Sequence, residues 1–272
     1  MSEHTNTKMN MPLSILVVDD DELNQRMMRL ILKREGHLIE CASNGLEAVQ
    51  AVKSKSYDLV LMDLQMPTMD GIEASRLIRE WENGKAHTFI VALTASYLPE
   101  RGRELFEAGI DNYLAKPFEV QHLRHILQYG LESRQSRLNS EPAKTELESV
   151  KQVMEINFEI GIQRVGGDVD IYKELLNDFV TELPGKLENL WSQYKNKDMD
   201  ALGRAAHNMK GVSANLGALQ LSEHAQRLEK QVTQGYTESV EGLLTDISST
   251  IKKLIEIALN YLAGREVKAA EV

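Results

Sequence analysis

The sequence predicts an α/β domain with a doubly wound five-stranded parallel sheet, followed by an all-α helical-bundle domain. Over residues 13–131, short apolar runs alternate five times with amphipathic stretches, which is typical of repeated βα units. Over residues 155–264 the strand patterns stop and apolar residues recur at helical spacing. Residues 132–154 lose apolar periodicity and gather Ser, Glu and Lys, so they are predicted to be a linker.

Five runs in the first half have the length and composition of buried parallel strands. They are "SILVVDD", "LIECAS", "LVLMDL", "TFIVALTA" and "NYLAKP". Helical stretches of roughly 10–14 residues lie between and after them. In the second half, residues 171–194 carry an apolar stripe, which Pro184 and Gly185 interrupt and where they are expected to bend the helix. Further helices are predicted at about 198–215, 218–233 and 237–263, which gives an antiparallel four-helix bundle.

The composition argues against several classes of partner. The 272 residues carry a formal net charge of −10 and neither half is basic, so no nucleic-acid partner is expected. The single cysteine, Cys41, excludes an internal disulfide and suits a reducing compartment. No stretch has a signal-peptide core or approaches the roughly 18 apolar residues of a membrane span. We therefore expect no membrane contact and a cytoplasmic location.

Acidic residues end two of the predicted strands. Asp19, Asp20 and Asp21 follow the first strand, and Asp63 ends the third. Ligand sites of open α/β sheets lie at the carboxyl ends of the strands, so these side chains are expected to meet. Carboxylates that close resist ionisation unless a divalent cation lies among them, and Mg²⁺ prefers such oxygen ligands.

The same edge of the sheet receives a hydroxyl and an ammonium group. Thr94 stands at the end of the fourth predicted strand and Lys116 at the end of the fifth. A cation site, a hydrogen-bond donor and a lysine together suit phosphoryl chemistry, with one aspartate as the attacking nucleophile. The first half is therefore predicted to hold a phosphoryl site.

Four stretches of the first half, "VVDDD", "LMDLQMPTMDG", "ALTA" and "YLAKPF", resemble in order and spacing the receiver domain of two-component response regulators. The resemblance implies a flavodoxin-like fold and makes Asp63 the phospho-accepting aspartate. It also implies a Mg²⁺ site whose protein ligands are Asp19, Asp20, Asp63 and the backbone carbonyl of Gln65.

Other polar residues of this half take their roles from the resemblance or from local position. The resemblance implies that Thr94 and Tyr113 form the switch pair and that Lys116 is the family's characteristic lysine; Tyr113 by itself equally suits the core. Asp21 and Asp70 precede predicted helices and are better interpreted as helix N-caps than as ligands.

The second half contains a histidine with small neighbours. On a helix that starts at Leu202, His207 falls roughly 160° from the centre of the apolar side, so we expect it to point to water. Gly211 and Ala214 lie near it on the helical projection and clear the surface for another protein, at a helix-propensity cost of about 1 kcal/mol for the glycine. An exposed imidazole can attack phosphorus, and Lys210 one turn on can steady the phosphoryl oxygens.

Two stretches of this half, "AHNMKGVSANLGA" and "GGDVDIYKELLNDF", resemble the histidine-containing phosphotransfer (HPt) domain. The resemblance implies that His207 is the phosphorylated residue. The other six histidines are interpreted as structural or surface residues.

Together the two halves predict a protein of a multistep phosphorelay, with phosphotransferase rather than complete kinase activity. A sensor histidine kinase would phosphorylate Asp63, His207 would take the group, and an aspartate on a separate response regulator receiver would be next. Two alternatives stay open: the receiver gates an HPt domain that serves another relay, or the chain is the C-terminal fragment of a hybrid sensor kinase. A complete kinase is not expected, because the chain lacks room for an ATP-binding domain and has no glycine-rich nucleotide loop.

Two hypotheses of other classes are weaker. The Asp-x-Asp spacing of Asp19 and Asp21 occurs in some Mg²⁺ phosphatases, but those place a hydroxyl or small β-branched residue where Leu23 stands. A non-catalytic adaptor would not need the combination of Asp63 and His207 with their basic neighbours.

Overall fold

The computed structural model describes residues 12–94, 99–118, 120–133, 156–236 and 239–265. The first half forms a five-stranded sheet in which all neighbouring strands pair in parallel, in the order β2-β1-β3-β4-β5. The strands are β1 (Ser14–Val18), β2 (Leu38–Ala42), β3 (Leu59–Asp63), β4 (Phe89–Thr94) and β5 (Asn112–Ala115). The predicted doubly wound parallel sheet is confirmed.

Five helices cover the two faces of this sheet. They are α1 (Glu22–Arg34), α2 (Gly45–Ser54), α3 (Gly71–Glu82), α4 (Pro99–Glu107) and α5 (Val120–Ser133). Alternate residues of β1 point to opposite faces: Ile15 packs with α1 and α5, while Leu16 packs with α2 and α3. The strand order reverses between β1 and β3, so the carboxyl ends of these two strands border a crevice suited to a ligand.

The residues interpreted as helix N-caps act as such. The Asp21 side chain accepts hydrogen bonds from the backbone N–H groups of Leu23 and Asn24 at the start of α1. The Asp70 side chain accepts one from the Glu73 N–H at the start of α3. Both caps satisfy N–H groups that a helix leaves without a partner, as the sequence predicted.

The second half is helical throughout its described residues. Its helices are α6 (Phe158–Arg164), α7 (Val169–Lys195), α8 (Met199–Asn215), α9 (Leu219–Thr233) and α10 (Val240–Leu262). The four long helices lie close to their predicted positions and share one apolar core. The short helix α6 was not predicted. A Cβ added at Gly161 would lie 2.4 Å from the Tyr172 ring, which shows how closely α6 approaches α7.

Helix α7 runs without a break through Pro184, as the single predicted stretch over residues 171–194 requires, and a bend at that point stays a prediction. An internal proline costs a helix about 3 kcal/mol. Phe179, Leu183 and Leu190 on either side of it are fully buried, and each such side chain contributes about 1.5–3 kcal/mol. Burial of the apolar stripe therefore outweighs the lost hydrogen bond.

The predicted linker falls mostly outside the described residues. Residues 132–133 belong to α5, and 134–154 are not among the described ranges. The two halves nevertheless meet, because α1 packs against α7. None of the helices in the described ranges combines the length and apolarity of a membrane span.

Candidate functional site

Three carboxylates gather at the crevice between β1 and β3. One oxygen from each of Asp19, Asp20 and Asp63 lies within 4.8 Å of the others. Asp19 follows β1 directly and Asp63 is the last residue of β3, so the parallel pairing of these strands brings the carboxylates together. We call these three residues the acidic cluster.

Lys116 lies inside the acidic cluster. Its Nζ is 2.7 Å from Asp19 Oδ2 and 2.6 Å from Asp63 Oδ2, and its side chain is 8% exposed. Burial alone would lower the pKa of Lys116, but the two carboxylates outweigh it and raise that pKa, so the ammonium stays charged. Burial, with Asp19 nearby, raises the pKa of Asp63 although Lys116 opposes the shift.

The acidic cluster suits a divalent cation. Burial is the main cause that raises the pKa of Asp20, and the charges of Asp19 and Asp63 raise it further. Asp20 Oδ1 is buried and has no hydrogen-bond partner among the described residues. When ionised, three carboxylates face one lysine, so negative charge is in excess. A hard cation that takes oxygen ligands would satisfy both the charge and the unpaired oxygen.

Of the remaining predicted residues, Gln65 and Thr94 contact members of the site, while Tyr113 packs against the core. The Gln65 N–H donates to Asp63 Oδ1 at 3.1 Å. Thr94 is buried at the end of β4, and its carbonyl accepts the Lys116 N–H at 2.6 Å. Tyr113 on β5 is half-buried against the core on the α2–α3 face of the sheet.

Gly71 lets α3 begin directly beside β3. A Cβ added there would lie 2.2 Å from the backbone oxygen of Asp63, so any side chain would force the backbone to shift. The glycine in "LMDLQMPTMDG" is therefore needed for the close approach of the loop to the strand end.

His207 on α8 belongs to a second cluster of charges. Its Nδ1 lies 2.6 Å from Glu229 Oε1, and Lys210 Nζ lies 2.6 Å from Glu229 Oε2. Burial alone would raise the pKa of Glu229, but hydrogen bonds from His207 and Lys210 outweigh it and lower that pKa. An ionised Glu229 accepts a hydrogen bond from a protonated Nδ1 of His207. In that tautomer Nε2 is the ring nitrogen with a free lone pair.

The expectation that His207 points to water is wrong, because its side chain is only 11% exposed. The helical projection considers α8 alone, whereas α9 packs against α8 and brings Glu229 over the imidazole. Glu229 was not predicted, since nothing local to α9 signals a contact 22 residues away. Gly211 does have open space around it: apart from its own helix backbone and chain neighbours, no atom of the described residues lies within 4 Å of an added Cβ.

Comparison with known families matches each half separately. The model of the response regulator receiver domain matches residues 15–128, and that of the Hpt domain matches residues 174–261. The chain joins a response regulator receiver domain to an Hpt domain. These are the parts of a multistep phosphorelay in two-component signal transduction.

Two relatives that align with both halves are sensor proteins of two-component systems. The sensor protein GacS of Pseudomonas syringae pv. syringae is 31% identical over 246 residues, which is 88% of this chain and 27% of that protein. The histidine-protein kinase BarA of Escherichia coli K12 is 28% identical over 230 residues, 83% of this chain and 24% of that protein. The chain thus spans about a quarter of the length of these relatives.

Among solved structures, the receiver domain of a sensor histidine kinase from Pseudomonas aeruginosa PAO1, with magnesium in its active-site cleft, is 36% identical. The match covers 44% of this chain and 98% of that one, with a TM-score of 0.41.

A hydrogen bond joins the receiver to the Hpt domain between a residue of the acidic cluster and the residue that follows His207. Asn208, which follows His207, donates from Nδ2 to Asp20 Oδ2 over 2.9 Å. Asp20 belongs to the acidic cluster, so the helix that carries His207 borders the receiver crevice. Asn208 was not predicted as a site residue, because its role depends on how the two domains pack.

Asp21 is engaged outside the acidic cluster. Its Oδ1 caps α1, and its Oδ2 accepts a hydrogen bond from Lys186 Nζ of the Hpt domain at 2.5 Å. The Asp-x-Asp arrangement of a phosphatase, with Asp19 and Asp21 acting on one substrate, is not formed.

Proposed function

We propose that the receiver accepts a phosphoryl group on Asp63 and that His207 of the Hpt domain takes it from there. One observation supports this proposal above others: Asn208 ties the helix of His207 to Asp20, a member of the acidic cluster that contains Asp63. An acceptor aspartate and an acceptor histidine therefore lie at the same domain contact.

The first step is transfer from a phosphohistidine of a sensor kinase to Asp63. A carboxylate oxygen of Asp63 attacks phosphorus, the O–P bond forms, and the N–P bond to the kinase histidine breaks with the electron pair returning to that nitrogen. Lys116 lies 2.6 Å from the Asp63 carboxylate and is placed to neutralise a phosphoryl oxygen, with the Thr94 hydroxyl as a hydrogen-bond donor.

Mg²⁺ is the proposed cofactor of this site. Asp19, Asp20 and Asp63 would hold it through carboxylate oxygens, and the backbone carbonyl of Gln65 would complete the protein ligands. When bound, the ion supplies positive charge that offsets the phosphoryl oxygens. Support comes from the buried, unpaired Asp20 Oδ1 and from the excess of negative charge in the acidic cluster.

The second step is transfer from Asp63 to His207. The Nε2 lone pair attacks phosphorus, the N–P bond forms, and the O–P bond breaks to return Asp63 to a carboxylate. Phosphorylation of Nε2 with the proton kept on Nδ1 places positive charge on the ring. Glu229 is in contact with Nδ1 and stabilises that charge. Lys210 pairs with Glu229 and lies 3.4 Å from Nδ1, so it would leave Glu229 to meet the phosphoryl oxygens.

The proposed partners are a sensor histidine kinase before Asp63 and the receiver of a separate response regulator after His207. Since the relatives are sensor kinases of which this chain spans a quarter, we also keep the proposal that the chain is the C-terminal part of a hybrid kinase. Gating of the Hpt domain by the receiver is a second candidate, favoured by the hydrogen bond that joins Asn208, next to His207, to Asp20 of the receiver.

A phosphate-trap gel tests the proposal with wild type, Asp63→Asn and His207→Gln in the presence of Mg²⁺ and a small phosphodonor. Acid-labile histidine label and alkali-labile aspartate label are scored separately over time. The relay predicts that histidine label follows aspartate label in wild type and is lost in Asp63→Asn. Equal histidine label in wild type and Asp63→Asn would refute the relay and favour gating.

A further inference from the structure

Charged residues of receiver helix α1 face charges of opposite sign on Hpt helix α7. Arg26 Nη2 lies 2.5 Å from Glu174 Oε1, and Arg26 Nη1 lies 2.9 Å from Asp178 Oδ2. The second contact is an ion pair whose geometry does not form a hydrogen bond. Arg34 contacts Asp168, the N-cap of α7. We call these five residues the α1–α7 seam.

The polarity reverses at the start of α1. There the receiver contributes the acid, Asp21, and the Hpt domain contributes the base, Lys186, with 2.5 Å between Asp21 Oδ2 and Lys186 Nζ. Burial alone would lower the pKa of Lys186, but Asp21 and then Glu182 outweigh it and raise that pKa, so the pair is charged.

These pairs fix the register of the two helices. Residue 21 meets 186, residue 26 meets 174 and 178, and residue 34 meets 168, so α1 and α7 run antiparallel. Because the sign of the charge changes along α1, sliding it by several turns would bring like charges together. A contact between like charges destabilises a shifted arrangement by more than the ion pairs stabilise the observed one, so the charges mainly exclude other registers.

We propose that the α1–α7 seam docks the receiver onto the Hpt domain of its own chain, so that transfer from Asp63 to His207 is intramolecular. The docked arrangement brings Asn208, the residue after His207, to Asp20 of the acidic cluster. This inference rests on the proposed relay, and it adds that a second molecule is not needed for the step between the two residues.

The first test compares transfer within and between molecules in the full-length chain. Asp63 is labelled with a small phosphodonor and Mg²⁺, the donor is removed, and the rise of histidine label is followed at several protein concentrations. Docking predicts a rate in wild type that does not depend on concentration. A mixture of Asp63→Asn and His207→Gln chains can transfer only between molecules, so its rate should be slower and proportional to concentration.

The second test changes the charges of the α1–α7 seam. Arg26→Glu should slow histidine labelling at least about tenfold, because the introduced carboxylate would face two acids, while labelling of Asp63 stays unchanged. Adding Glu174→Arg and Asp178→Arg to this variant should restore the rate. Arg76→Glu is the matched control: it makes the same charge change at an exposed position of α3, on the opposite face of the sheet.

The outcomes separate the two proposals. A wild-type rate proportional to concentration, a mixture as fast as wild type, or equal rates for Arg26→Glu and Arg76→Glu would overturn docking by the seam while leaving the relay intact. Histidine label that never depends on Asp63 would overturn the relay itself.

Discussion

Replacing Lys116 by methionine should strongly destabilise the receiver in the absence of a divalent cation. Methionine keeps most of the apolar stem, so the cavity is small, but the carboxylates of Asp19 and Asp63 lose the ammonium that lies 2.7 and 2.6 Å away. Removing one partner of a buried ion pair costs about 3–5 kcal/mol, because the other charge stays buried without compensation. We expect a loss of that size in the free energy of unfolding with EDTA present.

Mg²⁺ should offset much of this loss. An ion held by the carboxylates of the acidic cluster replaces the missing positive charge, and a ligand at about 100 times its Kd adds about 2.7 kcal/mol to the stability of the folded state. Wild type should gain less, because Lys116 repels the cation and competes for Asp19 and Asp63.

Urea unfolding followed by Trp81 fluorescence in a Trp191→Phe background measures the receiver in the full chain, since Trp81 lies on α3 and Trp191 on α7. Lys55→Met is the matched control, because the exposed Lys55–Glu40 pair should be worth at most about 1 kcal/mol. If Lys116→Met and Lys55→Met lose equal stability in EDTA, the charge argument for the acidic cluster is refuted.

Three further changes test single contacts. Glu229→Gln should lower the free energy of unfolding of the Hpt domain by about 1–2 kcal/mol at neutral pH. Folding lowers the pKa of Glu229, so its carboxylate stabilises the domain above the usual pKa of 4.5 and loses this effect as the pH falls. Urea unfolding followed by Trp191 fluorescence at pH 7 and pH 4 measures the difference. Gly211→Ala should raise Hpt stability by about 0.5–1 kcal/mol in the same assay yet slow phosphoryl transfer, and unchanged transfer would contradict a cleared docking surface. Gly71→Ala should lower the free energy of unfolding of the receiver by about 1–3 kcal/mol in the urea assay, because the added Cβ meets the Asp63 backbone. An unchanged free energy of unfolding would mean that α3 shifts freely.

Features with a local cause could be predicted from the sequence. The strands follow from short apolar runs, and the caps at Asp21 and Asp70 follow from acidic residues that precede helices. The meeting of Asp63 with Lys116 follows from a rule of topology, since parallel strands deliver their carboxyl ends to one edge of the sheet.

Features that depend on contacts between elements could not be predicted. The short helix α6 packs against Tyr172 of α7, and its own segment carries no pattern that predicted it. Glu229 reaches His207 from another helix, and Asn208 reaches Asp20 from another domain. In each case the residue is ordinary in its own segment and acquires its role only from packing.

A receiver docked beside His207 is compatible with the proposed relay only if docking is reversible, because in that relay a separate receiver must also reach the imidazole. The ion pairs of the α1–α7 seam are weak enough to allow reversible docking. Its side chains are partly exposed, and such ion pairs contribute about 0.2–1 kcal/mol each and are screened by salt. Three pairs of this kind orient α1 on α7 without holding it permanently. The seam therefore selects one docked geometry for Asp63 and His207 and still lets the phosphorylated Hpt domain release its receiver for the next acceptor.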